Sequence, residues 1–170
     1  MKIKELYIDL DGVLCNFDKR FNELFKQSPL ADYPTSNINN SKKFKQQFNE
    51  FVEGNNFATL EPIPDFNEAV LFINRLPKNI RMYILSSTAR EEYYNEISKQ
   101  KNEWLKKYDI HIPAIFVPGK RFKQIYSGVG KVLIDDTKIN VDQWNTKQGI
   151  AILHKNWKTT IREFNILLNS

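Results

Sequence analysis

The chain carries a single cysteine, Cys15, in 170 residues. That excludes an intrachain disulfide framework and a cysteine metal cluster. Cys15 stands in an apolar context beside two acids, where a core thiol is the expected role ahead of a nucleophile. No uninterrupted apolar run approaches the roughly 20 residues that a membrane-spanning helix needs. The N-terminus, MKIKELYI, lacks the apolar stretch and small-residue cleavage site of a secretory signal. A soluble, cytoplasmic protein is therefore the expectation. There is no internal repeat, no low-complexity tail and no concentrated basic patch. The net charge of +5 comes from 25 basic and 20 acidic side chains, well mixed. Such a distribution is compatible with a small anionic substrate and gives no reason to expect a stable nucleic-acid complex.

What is present is apolar and periodic. Hydrophobic residues make up 41% of the chain, twelve of them phenylalanines, enough for one packed core with a small insertion. Five short apolar runs, at 5–10, 81–87, 114–118, 131–136 and 150–154, have little polar alternation. Strands covered on both faces have that pattern. Between them, DFNEAVLFINRL places Asp65 and Glu68 in capping-box spacing ahead of an apolar stripe. Residues 89–107 lack glycine and proline, and Thr88 and Glu91 offer them a second capping box. Strands spaced by helices predict an α/β fold, a parallel sheet with helices on both faces. Residues 16–64 break the rhythm. NFDKRFNELFK and SKKFKQQFNEFVEG are amphipathic helical segments around the polar stretch SPLADYPTSNINNS. They predict a small helical cap inserted after the first strand, with 1–15 and 65–170 forming the core.

In an open parallel sheet, ligands bind beyond the carboxyl ends of the strands. Three polar clusters fall at that edge: Asp9 and Asp11 after the first strand, Ser86, Ser87 and Thr88 after the second, and Asp135 and Asp136 after KVLIDD. Four carboxylates brought together repel, and burial raises the cost unless a cation compensates. Oxygen-only ligation suits Mg²⁺. The hydroxyl run precedes an expected helix, whose first free amides favour an anion such as phosphate. Metal, carboxylate nucleophile and phosphate cradle together make a phosphoryl-transfer site.

On these residues the chain resembles the haloacid-dehalogenase-like superfamily of phosphohydrolases, and within it the 5'(3')-deoxyribonucleotidases. The matching motifs are DLDGVL at 9–14, Ser86 in YILSST, a lysine in VPGKRFKQIY, and the aspartate pair of LIDD. The resemblance implies a Rossmann-like three-layer α/β/α core with the small cap. It implies that Asp9 is the nucleophile, forming an aspartyl-phosphate, and that Asp11 is the general acid and then the general base. Mg²⁺ would be held by Asp9, the backbone carbonyl of Asp11, and Asp136, with Asp135 in support through water or the motif lysine. Ser86 would bond a phosphoryl oxygen. Lys120 and Lys123 both offer the motif lysine; Lys123, nearer the following helix, is preferred, which leaves Lys120 as a substrate contact.

Nucleotidases of this kind stack the base on cap aromatics, so Phe17, Phe44, Phe48 and Phe51 are candidates, although phenylalanines at helical spacing also describe ordinary core. Ser87, Thr88 and Arg90 are further candidate substrate contacts. Trp104, Trp144 and Trp157 fit packing roles, and neither His111 nor His154 is expected at the metal. The expected substrate is a small phosphomonoester, a nucleoside monophosphate foremost. Other small phosphomonoesters and nucleic-acid phosphate ends remain the alternative, and homodimer formation stays open.

Overall fold

The computed structural model describes residues 2–26 and 38–170, the side chains of 38–41 excepted. Most of the polar stretch between the two expected helices of the insertion lies outside the described residues. All five apolar runs form strands: β1 (Glu5–Ile8), β2 (Arg81–Ser87), β3 (Ala114–Val117), β4 (Lys131–Asp135) and β5 (Ile150–Leu153). They pair in parallel in the order β3-β2-β1-β4-β5. The chain first runs outward from β1 to β3, then crosses back to β4 beside β1. The crevice at the carboxyl ends of β1 and β4 is therefore the point where strand order reverses, the usual ligand position in such sheets.

Alternation along the central strands divides the core into two layers. Leu6, Ile8, Ile84, Val132 and Ile134 face the larger cluster, which α3 (Phe66–Arg75), α4 (Tyr94–Lys107) and α6 (Trp157–Asn169) cover with Phe72, Trp104, Trp157 and Phe164. Tyr7, Leu85 and Leu133 face the opposite way, against Trp144 of α5 (Lys138–Asn145) and Phe122 and Tyr126 of a 3-10 turn (Lys120–Tyr126). This is the expected Rossmann-like three-layer arrangement. The three tryptophans are fully buried, and their indole N–H groups donate to the carbonyls of Leu60, Lys131 and Val13. Cys15 is a buried thiol, as its apolar neighbours imply. Among the described residues, no helix is long and apolar enough to cross a membrane.

The insertion leaves and re-enters the core at one place. Asn16 N donates to Glu61 O at 2.8 Å, and Ile63 N donates to Leu14 O at 3.0 Å. Between these points lie α1 (Phe17–Phe25), α2 (Ile38–Glu53) and a 3-10 turn (Asn56–Thr59). Asn16 caps α1 by accepting from Lys19 N. Phe17, Phe21, Phe51 and Phe57 form the aromatic heart of the insertion, with Phe17 and Phe57 stacked at 5.6 Å and Phe51 edge-on to both. One buried side chain on α4 ties this unit to the core. Gln100 accepts from Phe57 N at 3.1 Å and donates to Val52 O at 2.7 Å.

Neither expected capping box forms. Asp65 stands at the N-cap of α3, but its carboxylate accepts from Trp157 N at 2.5 Å and so fixes the start of α6 instead. The segment after Thr88 does not enter a helix at once, because Ala89 is left-handed (φ 60) and a 3-10 turn (Glu91–Tyr93) precedes α4. The Thr88 hydroxyl donates to the carbonyls of Arg90 and Val117. The hydroxyl run is therefore separated from the first free amides of α4 by a left-handed residue and a 3-10 turn.

Gln100→Leu keeps the volume but leaves a buried amide and a buried carbonyl without partners, each worth about 1–3 kcal/mol. The expected loss is at least about 2 kcal/mol in urea unfolding. A loss under about 0.5 kcal/mol would mean that the insertion is held by apolar packing alone.

Candidate active site

Three carboxylates meet where β1 and β4 end. Oxygens of Asp9, Asp135 and Asp136 lie within 4.8 Å of one another. Lys123, buried on the 3-10 turn that crosses beneath them, sets its ammonium 2.8 Å from Asp9 Oδ2 and 2.7 Å from Asp135 Oδ2. Asp135 is fully enclosed and otherwise satisfied, because Asn140 Nδ2 donates to both its oxygens and Thr137 N donates to Oδ1. Asp9 Oδ1 accepts from Leu10 N at 2.8 Å, and Asp136 Oδ1 accepts from the Thr137 hydroxyl at 3.2 Å. Gly12 adopts φ +76, and a Cβ there would stand 2.0 Å from Asp136 Oδ2. The glycine of DLDGVL thus supplies both the turn and the room for the last acid.

The charges do not balance. Three carboxylates face one ammonium, a deficit of two positive charges. Burial pushes the Asp9 carboxyl up to about 7, and repulsion from Asp135, Asp136 and Asp11 adds to that against the pull of Lys123. Burial and then Asp135 push Asp136 up to about 6. Burial works against the Lys123 charge, yet Asp9 and Asp135 outweigh it and hold its proton more tightly than in water. A divalent cation restores the balance, and the all-oxygen donor set suits Mg²⁺. Asp135 already accepts four hydrogen bonds from three donors, Lys123, Asn140 and the Thr137 amide, which leaves Asp9 and Asp136 as the acids fitted to a metal. The Asp11 carbonyl takes no hydrogen bond among the described residues.

A second buried cation escaped sequence reasoning. Lys101 of α4 points its ammonium at Asp11 Oδ2 (2.5 Å), Ser86 Oγ (2.8 Å) and Ser87 O (2.8 Å). Its signal lay in the helical stripe Ile97, Gln100, Lys101, Trp104, Leu105, all buried, where a lysine and a glutamine interrupt an apolar face. The Cys15 thiol lies 3.5 Å from Asp11 Oδ1.

The acids open onto a cavity of about 290 Å³. Asp9, Asp11, Lys123 and Asp136 line one part; Phe17, Phe44, Phe48 and Phe57 line an apolar part. Ser87 and Lys120 also line it, whereas Ser86 is fully buried behind it and Thr88 is committed to backbone carbonyls. Phe51 packs in the interior. Phe57, which sequence reasoning missed, is the only apolar aromatic in the polar run EGNNFAT. Arg90 turns to the insertion: it donates to Asn49 Oδ1 at 3.2 Å, pairs with Glu92 and lies 5.6 Å over the Phe48 ring. His111 is exposed beside Asp109, and His154 is bonded to Thr160, both outside the acidic cluster.

The electrostatics make metal and protons competitors. An unfolded aspartate loses its proton near 3.8, and Asp9 in the fold loses it near 7. Between these values the folded state binds more protons, so the metal-free fold loses stability as pH rises from about 4 to about 7. Asp136 acts with the same sign up to about 6. The rise in Tm on adding Mg²⁺ is therefore expected to be small at pH 5 and larger at pH 7.5, and to shrink in Asp9→Asn. An increment independent of pH in the unaltered protein would overturn this account.

Comparison with known proteins agrees with this geometry. The family model described as "5' nucleotidase, deoxy (Pyrimidine), cytosolic type C protein" matches residues 2–164. Among solved structures, the chain is similar to one titled "The crystal structure of a hydrolase from Streptococcus pneumoniae TIGR4". The TM-score is 0.53 at 13% identity, covering 97% of this chain and 100% of the other. That likeness supports the fold. No curated protein matches the sequence. With the family match spanning nearly the whole chain and the aspartates gathered at the sheet's switch point, the protein belongs to the cytosolic type C 5'-deoxynucleotidase family of haloacid-dehalogenase-like phosphohydrolases.

Proposed function

We propose that this chain is a cytoplasmic, Mg²⁺-dependent phosphatase that hydrolyses nucleoside monophosphates through an aspartyl-phosphate on Asp9. The observation that carries this reading is the single cavity that joins Asp9, with its lysine and acidic neighbours, to four phenylalanines. Its volume of about 290 Å³ suits one small molecule and not a polymer end with its flanking chain.

Asp9 attacks phosphorus, and the bond to the leaving oxygen breaks as Asp11 hands that oxygen a proton. Asp11 then takes a proton from water, whose oxygen displaces Asp9 and releases inorganic phosphate. Lys123 lowers the repulsion between Asp9 and the incoming anion, and Asp135 fixes Lys123. Lys101 holds Asp11, and Ser86 acts by accepting from Lys101 while Ser87 faces the phosphoryl group. Mg²⁺, held by Asp9, Asp136 and the Asp11 carbonyl, supplies further neutralisation of the phosphoryl oxygens when bound. The description of the family supports a deoxyribose and a pyrimidine on the leaving side.

Two experiments test these assignments. Asp9→Asn is expected to reduce aryl phosphate turnover at least about a thousandfold with the circular dichroism unchanged; undiminished turnover would sink the covalent mechanism. Asp11→Asn is expected to lose about 10²–10⁴-fold, most with poor leaving groups, whereas Asp136→Asn is expected chiefly to raise the Mg²⁺ requirement. The same apparent Mg²⁺ affinity in both variants and in the unaltered enzyme would refute that division.

The substrate is tested on the apolar part of the cavity. Stacking of a base on an aromatic is worth about 1–3 kcal/mol. Single Leu replacements of Phe17, Phe44 and Phe48 should lower the ratio of kcat/KM for nucleotide over aryl phosphate in at least one variant, by roughly tenfold to a hundredfold. An unchanged ratio in all three would mark these rings as core, and equal activity of the unaltered enzyme on sugar phosphates would leave only the broader phosphatase assignment.

A further inference from the structure

Asp18 is the acid in this cavity that phosphoryl transfer does not use. It follows Phe17 in the first turn of α1 and lines the same space. Its carboxylate is partly withdrawn from water, and among the described residues it forms no hydrogen bond and no ion pair. An acid in a first helical turn gains from the helix dipole. That accounts for an acid on α1 but not for one turned toward a cavity without a donor, an arrangement that burial penalises until a donor arrives. Lys120 lines the cavity too, from the core side, and its charge acts on Asp18 without closing an ion pair. The two residues therefore present an acceptor and a donor to whatever occupies the space between insertion and core.

We propose that Asp18 and Lys120 select the leaving group: Asp18 accepts an N–H from the edge of the base, and Lys120 donates to a neighbouring carbonyl oxygen. This rests on the nucleotidase reading and names the part of the leaving group that is recognised. The chemistry that fits is an uncharged nucleoside whose base carries an N–H beside a C=O. Leaving groups that carry a carboxylate or a second phosphate meet the Asp18 charge, with Asp11 adding to it, and are turned away.

The experiment compares thymidine monophosphate with its 3-methyl analogue, in which N–CH₃ replaces N–H, and includes ribose 5-phosphate. The unaltered enzyme is expected to prefer the N–H substrate in kcat/KM by roughly tenfold to a hundredfold, the range for a hydrogen bond to a charged group. Asp18→Ala is expected to reduce that preference to about threefold or less. Asp18→Asn, which keeps the size and an acceptor oxygen without the charge, is expected to retain part of it and guards against a folding defect in the alanine variant. This cycle between residue and substrate isolates their coupling, which a purely structural role for Asp18 would not move. Equal discrimination by the unaltered enzyme and both variants, with nucleotides still preferred over ribose 5-phosphate, overturns the Asp18 assignment and leaves the nucleotidase reading standing. No preference for nucleotides over ribose 5-phosphate in the unaltered enzyme overturns both.

Discussion

A buried ammonium held between two buried carboxylates organises this protein. Lys123 joins Asp9 at the end of β1 to Asp135 at the end of β4. Those strands are neighbours at the point where the sheet reverses its order. Removing one partner of such a cluster strands an uncompensated charge, which is why buried ion pairs cost several kcal/mol to break even when they add little to stability. Asp135 is locked further by Asn140 and the Thr137 amide, so the cation cannot drift toward either side. The arrangement still leaves excess negative charge on Asp9 and Asp136. The acids gathered at the exit of the most buried strand are thus fitted to a divalent cation that would offset this excess.

The core helix α4 joins the chemistry to the insertion. Adjacent residues on it do different work: Gln100 satisfies the backbone of the insertion at Phe57 and Val52, and Lys101 reaches Asp11 and the end of β2. Lys101 also lies 5.1 Å over the Phe57 ring. Arg90 adds a link from the loop after β2 to Asn49 and Phe48 of α2. Displacing the insertion therefore disturbs groups that hold Asp11 and Ser87, so the apolar part of the cavity and Asp11 share one mechanical support.

The sheet was legible because each strand is a nearly continuous apolar run, and the acids because they interrupt such runs at the carboxyl end. Sequence favours Lys123 over Lys120 only as the lysine nearer the following helix, and the structure sets its ammonium between Asp9 and Asp135. What sequence could not show were contacts made across long separations. Lys101 reaches Asp11 from 90 residues away, and its neighbours in sequence announce only a helix. The Asp65 capping box fails for the same reason. Asp65 has the right spacing for its own helix, but a tertiary donor 92 residues distant, the Trp157 amide, competes for its carboxylate. Ser86 is the serine expected at the phosphoryl oxygen and Ser87 a further substrate contact, yet alternation along β2 sends Ser86 toward Lys101 and leaves Ser87 at the cavity.

The two parts of the cavity are built to different tolerances. The acidic part rests on strand ends, fixed by parallel ladders and by the ion pairs of Lys123 with Asp9 and Asp135, which suits chemistry that needs reacting atoms placed within about half an ångström. The apolar part rests on rings packed against one another, Phe17 on Phe57 and Phe44 on Phe48, together with a few polar ties to α4 and Arg90. Ring packing is non-directional and accepts substitution of similar volume at small cost. Ring substitutions of similar volume in the insertion can therefore reshape the apolar part while the Asp9–Lys123–Asp135 cluster stays in place, whereas a change at Gly12 or Asn140 reaches the acids directly. Division of labour between a rigid sheet edge and an adaptable aromatic insertion follows from the forces that hold each in place.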